Sequence, residues 1–198
     1  DDVLAMMDKE IRRPLEIWLK KHGVKIYRNA LARGAERIES SGEGKIRLKY
    51  EMGGENHSID VDKILVTVGR KANLSGWGLE ETGVRLGPDG RFIRTDRKCR
   101  TNIPGVYAIG DVSGEPMLAH KASAEGEMVA EIISGLEREF DNVAIPAIVF
   151  TEPEIVSVGL DPDSARERGE DIITGKFPLA ANGRALTLEA EKTAGFIR

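Results

Sequence analysis

The sequence predicts an α/β chain made of three partial units, and three observations predict it. The run DKILVTVGR, 62–70, is almost unbroken in apolar and β-branched residues, as in a parallel strand covered on both faces. The stretch GVYAIGDVSGEPMLAHKASAEG, 105–126, reads as a short strand ending on an aspartate, a loop, and then a helix. Beyond EREFDNVAIP the pattern changes to the short apolar runs AIVF, EIVSVG and DIITGKFPLA, which read as strands. These changes put seams near residues 72 and 143.

In chain order, KEIRRPLEIWLKKH, 9–22, sets Ile11, Leu15, Trp18 and Leu19 at helical spacing, with late lysines and Gly23 as the stop. Pro14 falls inside that pattern, so the helix either starts near it or bends there. His22, at the helix end, fits a solvated C-terminal cation rather than a ligand. GVKIYRN reads as a strand. KIRLKYE, 45–51, alternates Ile46, Leu48 and Tyr50 with charged residues and predicts a half-exposed antiparallel strand. MGGEN then predicts a turn, with His57 facing solvent just past it. KANLSGWGLEETGVRLGPDGR is rich in glycine and reads as a crossover rather than a core element. FIRTD and GVYAIG read as short strands, and about 117–135 as a long helix with Leu118, Ala122, Val129 and Ile132 or Ile133 inward. In DPDSARERG, Asp161 is placed to cap a helix, Pro162 to begin it and Gly169 to end it. The closing KTAGFIR reads as a strand with no partner after it, and both chain ends read as lying inside domains.

Composition narrows the function classes. The 198-residue chain has a net charge of −4 and a pI near 5.6, which weighs against nucleic acid or an anionic membrane as partner. No apolar run approaches the roughly 18 residues of a spanning helix. The chain opens on DDVLAMMDKE without an initiator Met, so targeting is not legible there, and a cytoplasmic location is the expectation. Cys99 is the single cysteine, which excludes an intrachain disulfide or a CxxC site. His22, His57 and His120 lack ligand spacing, so no metal site is expected.

The candidate site is the strand–aspartate–helix stretch. Ligands of open parallel sheets lie beyond the carboxyl ends of the strands. Gly110 would let a backbone or a ligand come close, and Asp111 would stand at that edge as an acceptor for hydroxyl groups. A few residues on, the amides of Met117, Leu118, Ala119 and His120 would begin a helix without intrahelical partners, a half-positive site for an anion or a polarised carbonyl. A flavin, with ribityl hydroxyls and a pyrimidine carbonyl, has that layout. The tripeptide IGD alone fits a turn or capping aspartate as well.

RTNIPGVYAIGDV, PMLAHKA and EG, taken together within 100–126, resemble the second FAD-binding motif of the pyridine nucleotide–disulfide oxidoreductases. The PMLAHKA portion resembles the lipoamide branch; mercuric and glutathione reductases stand as the alternative substrate classes, and a flavin-binding or docking module as the non-catalytic one. DKILVTVGRKAN is similar to the last strand of the family's NAD domain, with Ala72 where G-R-x-P-N has proline. IPAIVFTEPEIVSVGL and FPLAANGRAL are similar to the opening of its interface domain.

The resemblance implies parts of two Rossmann-like FAD/NAD(P)-binding domains followed by the start of an α+β dimerisation domain. Its boundaries are 1–72 for the end of the NAD domain, 73–143 for the second FAD segment and 144–198 for the interface domain. It puts Asp111 on the ribityl hydroxyls, the amides of 117–120, chiefly Ala119, at the pyrimidine edge, and the backbone at Gly69 and Ala30 near NAD. It implies oxidation of dihydrolipoamide through FAD to NAD+, with a lipoyl domain of 2-oxoacid dehydrogenase complexes and a second subunit as partners.

It also implies that no catalytic residue lies in this chain. The CxxxxC redox pair has no counterpart, and Cys99 reads as a packed, inert thiol. His120 and Glu125 are separated by about 140° of helix rotation and cannot serve as the family's acid–base dyad. No GxGxxG follows a strand, so both pyrophosphate loops lie elsewhere. An internal segment of a longer enzyme, inactive alone, is the resulting expectation.

Overall fold

Two glycines between alternating strands dictate a tight hairpin, and one forms. Ile46–Met52 (β2) pairs antiparallel with Glu55–Val61 (β3), joined by Gly53 and Gly54, which both take positive φ as a type I′ turn requires. Tyr50 lies directly opposite His57, and the rings stack with centroids 5.4 Å apart. His57 is therefore half-buried rather than solvent-facing. Ala30–Arg37 (β1) completes the sheet against β2 in the order β1-β2-β3. Nothing in ALARGAER alternates apolar with polar, and nearly all of β1 is exposed, as suits an edge strand.

The structure, a computed structural model, describes residues 2–38, 44–189 and 195–198. The chain divides into two units, Asp1–Val66 with Pro146–Arg198, and Thr67–Ile145.

The first unit holds the three-stranded sheet and Lys9–Lys21 (α1), capped by the Asp8 carboxylate on the Glu10 amide. Pro14 lies well inside this helix, which neither starts nor stops there. Leu15 is buried and Ile11, Trp18 and Leu19 half-buried, the predicted face. The second buried residue of α1 is Arg12, which donates to the Val3 carbonyl and pairs with Asp2. His22 is exposed and lies flat on Trp18.

Ala147–Val149 (β4) and Ile155–Ser157 (β5) form a second ladder, followed by Pro162–Glu167 (α3), whose cap is Asp161 as predicted. Phe177–Pro178 (β6) pairs with Phe196–Ile197 (β7). The closing strand thus finds its partner earlier in the chain, across Gly183–Thr187 (α4). The DIIT part of the third predicted strand joins no ladder among the described residues.

The second unit contains Ala119–Ile133 (α2) and two small apolar clusters. One is Leu79, Ile93 and Ala108; the stretch read as a mere crossover therefore supplies a core residue, Leu79. In the other, Met128 and Val129 of α2 pack on Cys99, with Tyr107, Ile132 and Phe140 around them. Ile132 is the inward member of the isoleucine pair, and Ile133 is exposed.

Four predicted strands do not form. GVKIYRN and DKILVTVGR join no ladder among the described residues, FIRTD makes only the single bridge Leu86↔Ile93, and GVYAIG only Arg100↔Tyr107. The run 62–70 spans the boundary between the units, and Leu65, Val66 and Val68 are 87%, 70% and 93% exposed. A central parallel strand exists by virtue of neighbours on both sides, and the described residues provide none.

Candidate functional site

The site is built by a loop stapled onto the first turns of α2. Gly110–Val112 forms a 3-10 turn, and Gly110 takes φ +74. Its amide donates to Glu125 Oε2 at 2.7 Å, and its carbonyl accepts from the Ser113 hydroxyl at 2.8 Å. Glu125 pairs at 3.0 Å with Lys121, one helical turn earlier, and both side chains are only 6% exposed. Lys121 in turn donates to the Gly114 carbonyl at 3.1 Å. One buried ion pair therefore closes both sides of the 110–114 loop onto one face of α2. The missing side chain of Gly110 serves this packing, since a Cβ there would stand 3.2 Å from Cβ of Ala122. Of the two close approaches expected there, by the protein's own chain or by a ligand, the structure shows the first, made by α2.

With Gly110 held from behind, Asp111 is directed outward. Its side chain is 41% exposed and accepts an ion pair from Arg70 at 2.9 Å. Arg70 also donates to the Met117 carbonyl, so one guanidinium spans the loop from Asp111 to the approach of α2. No side chain caps α2 at Leu118, and its first backbone bond runs from Ala122 to the Leu118 carbonyl. The amides of Ala119 and Lys121 consequently lack an intrahelical partner. Ala119 is the predicted amide that falls in this donor set, and those of Met117 and Leu118 fall outside it. Leu118 already donates to the Pro116 carbonyl, and Met117 precedes the helix, contributing a carbonyl to Arg70 instead. His120 is exposed on the first turn.

The structure thus brings Gly110, Asp111 and residues 117–120 together. Gly69 lies in the same unit, next to Arg70, with φ +117 and no atom within 4 Å of an added Cβ. Ala30 belongs to the other unit, where it opens β1 and borders a cavity of about 230 Å³ beside Tyr27 and Arg28. A larger cavity, about 420 Å³, is lined by Asp96, Cys99, Ser113, Lys121, Glu125 and Phe140 and by none of the predicted site residues.

Cys99 is buried, and burial first, then the Glu125 carboxylate, pushes its thiol up to about 11, against the opposing pull of Lys121. It is a protonated core group at neutral pH. Glu125 is committed to Lys121 and to Gly110, so the His120–Glu125 pairing is absent for a reason beyond helix rotation. Sequence reasoning missed Arg70, Lys121 and Glu125. Lys121 and Glu125 carried a legible signal, an i,i+4 pair on the face that continues to Met128 and Val129.

Residues 1–126 match the family model of the pyridine nucleotide-disulphide oxidoreductases, and residues 145–198 match that family's dimerisation domain. The chain belongs to this family. It is 44% identical over 196 residues to a dihydrolipoyl dehydrogenase of Pseudomonas aeruginosa and 45% identical over 197 residues to one of Geobacillus stearothermophilus. These alignments take in 99% and 100% of the chain and 40% of each relative, so the chain spans about two-fifths of the length of these curated relatives. Among solved structures it is similar to the HOCl-induced flavoprotein disulfide reductase RclA of Escherichia coli. The TM-score there is 0.82 and the identity 25%, over 98% of this chain and 42% of that one. No helix among the described residues is long and apolar enough to cross a membrane.

Family membership brings FAD and NAD(P) as cofactors. The donor set at the loop fits the flavin: a half-exposed carboxylate for hydroxyls, an uncapped helix start for an electron-rich carbonyl, and a cation between them.

Proposed function

We propose that the chain is a segment of a dihydrolipoyl dehydrogenase, in which it provides the flavin's ribityl and pyrimidine contacts. The observation that carries this reading is the pairing of an outward Asp111 with the uncapped start of α2. Asp111 accepts hydrogen bonds from ribityl hydroxyls. The Ala119 amide, with that of Lys121, faces the pyrimidine carbonyl, where the partial positive charge of a helix N-terminus favours added electron density. Gly69 is read as a backbone position close to NAD, and Ala30, in the other unit, is read so by itself. When bound, FAD supplies the two-electron chemistry between dihydrolipoamide and NAD+. The chain's own residues orient it and hold no proton for it, because Glu125 and Lys121 are spent on each other and Cys99 stays a thiol.

In this reading residues 1–72 finish an NAD-binding domain, 73–143 form the second FAD segment and 144–198 begin the interface domain of a homodimer. The substrate-bearing partner is the lipoyl domain of a 2-oxoacid dehydrogenase complex, and the location is cytoplasmic. The redox cysteine pair belongs to the remainder of the enzyme, so the 198 residues alone reduce no NAD+ with dihydrolipoamide. The test is Asp111→Ala in the full-length enzyme, read as FAD bound per subunit and as dihydrolipoamide-dependent NADH formation. Loss of most of the flavin and of the activity is expected. A variant that keeps stoichiometric FAD defeats the reading, as does turnover by the isolated segment.

A further inference from the structure

The charges that meet at the loop do not balance without Arg70. Lys121 and Glu125 cancel each other in burial, and the exposed Glu115 is matched by Arg91 at 2.7 Å. That leaves Asp111, the open amides of α2 and Arg70. The Arg70 side chain is 61% exposed, so it is no packing element of the core; its described contacts are two, the Asp111 carboxylate and the Met117 carbonyl. It arrives from 47 residues upstream of Met117 and places its charge at the same end of α2 as the amides of Ala119 and Lys121. Its planar fork suits this double contact, which an ammonium point charge cannot reproduce.

We infer that Arg70 is the positioning and charge-balancing residue of this site: it fixes the Asp111 carboxylate and keeps the edge at the start of α2 electropositive. The inference rests on the reading of Asp111 as the ribityl anchor. Oriented by Arg70, the carboxylate presents its remaining lone pairs to hydroxyls. Compensated by Arg70, its charge does not oppose the electron density that the pyrimidine edge gains on reduction. With Arg70 present, the carboxylate and guanidinium cancel and the α2 amides leave a net positive site. With Arg70 removed, Asp111 stands uncompensated and the sign reverses. Arg70 therefore selects the more negative redox state of the bound group and raises its potential.

The experiment uses the full-length flavoprotein with Arg70→Met, Arg70→Lys and Asp111→Ala, reading FAD content and the two-electron midpoint potential by anaerobic titration against reference dyes. A unit charge a few ångströms away in partly wet surroundings changes the preference for the reduced over the oxidised group by about tenfold. For a two-electron couple that is a shift of about 30 mV, to more negative potential in Arg70→Met. Arg70→Lys is expected to recover most of the potential while binding FAD more weakly than the parent, because charge is restored and the fork is not. If Arg70→Met fails to fold, Arg70→Gln carries the same reading. A neutral variant with unchanged potential overturns the inference, and so does an equal shift in Arg70→Lys. Asp111→Ala separates the two levels: full flavin retention there refutes the anchor itself, whereas flavin loss there beside an unmoved Arg70→Met potential refutes only the role of Arg70.

Discussion

Removing Lys121 is the sharpest perturbation of the loop. In Lys121→Met the Glu125 carboxylate, 6% exposed, loses the cation at 3.0 Å and keeps only the Gly110 amide at 2.7 Å and the Ser113 hydroxyl at 3.4 Å. Breaking one side of a buried pair leaves an uncompensated charge, and the expected cost is about 3–5 kcal/mol. The Gly114 carbonyl also loses its donor. Removing both charges together, as Lys121→Met with Glu125→Leu, leaves no stranded charge. The Gly110 amide is then the main group without a partner, at about 1–3 kcal/mol. The double variant should therefore be more stable than Lys121→Met alone. Urea unfolding gives the stabilities, and amide exchange at Gly110 locates the damage, with faster exchange expected in every variant lacking Glu125. If Lys121→Met costs less than about 1 kcal/mol, or if the double variant loses the sum of the two single losses, the pair is not the staple described here.

Three further outcomes follow from the same geometry. Gly110→Ala should destabilise by about 1–2 kcal/mol or more, since a Cβ at φ +74 is strained and meets Ala122; a thermal melt reads it, and adding Ala122→Gly should return only the steric part. Cys99 should resist iodoacetamide at pH 8 in the native protein and react fully in urea, and native labelling at a free-thiol rate would contradict its buried placement. Because its folded pKa is raised, its contribution is constant below about pH 8.5 and stability falls from there toward 11. Asp161→Ala should cost about 1 kcal/mol as a lost helix cap. The Ser164 hydroxyl and amide hold the Asp161 carboxyl below the usual range, so the difference between variant and parent should be present above the ordinary carboxylate pKa and shrink as pH falls through the folded one.

What could be read in advance was whatever a few neighbouring residues decide between themselves. The β2–β3 hairpin needed only alternation and two glycines, and α3 needed only Asp161 and Pro162 at its start. Strand β1 escaped because an exposed edge strand can dispense with alternation, so ALARGAER carries no period to find. The run 62–70 misleads for the opposite reason. Its composition records a preference for being covered, but pairing belongs to the neighbours, and Val68 lies 93% exposed without them. The candidate site divides the same way. Asp111 and the start of α2 are local in sequence and were legible, whereas Arg70 reaches the site across 47 residues by a route no spacing announces.

The dipeptide Gly110-Asp111 shows why such a site can be both exposed and well placed. An outward carboxylate is poorly restrained by itself, because its own side chain cannot be packed without closing the site. Here the restraint is applied one residue earlier and from behind: the Gly110 amide and carbonyl are held by Glu125, Ser113 and the close face of Ala122. The charges doing that holding cancel within the core, so they fix the loop without imposing a sign on the ligand side. The sign is left to groups that solvent and ligand can reach, Asp111, Arg70 and the first amides of α2. Geometry and charge are thereby set by different residues. Substitutions at Lys121 or Glu125 should act on how long the loop stays closed, and substitutions at Arg70 on which redox state it prefers.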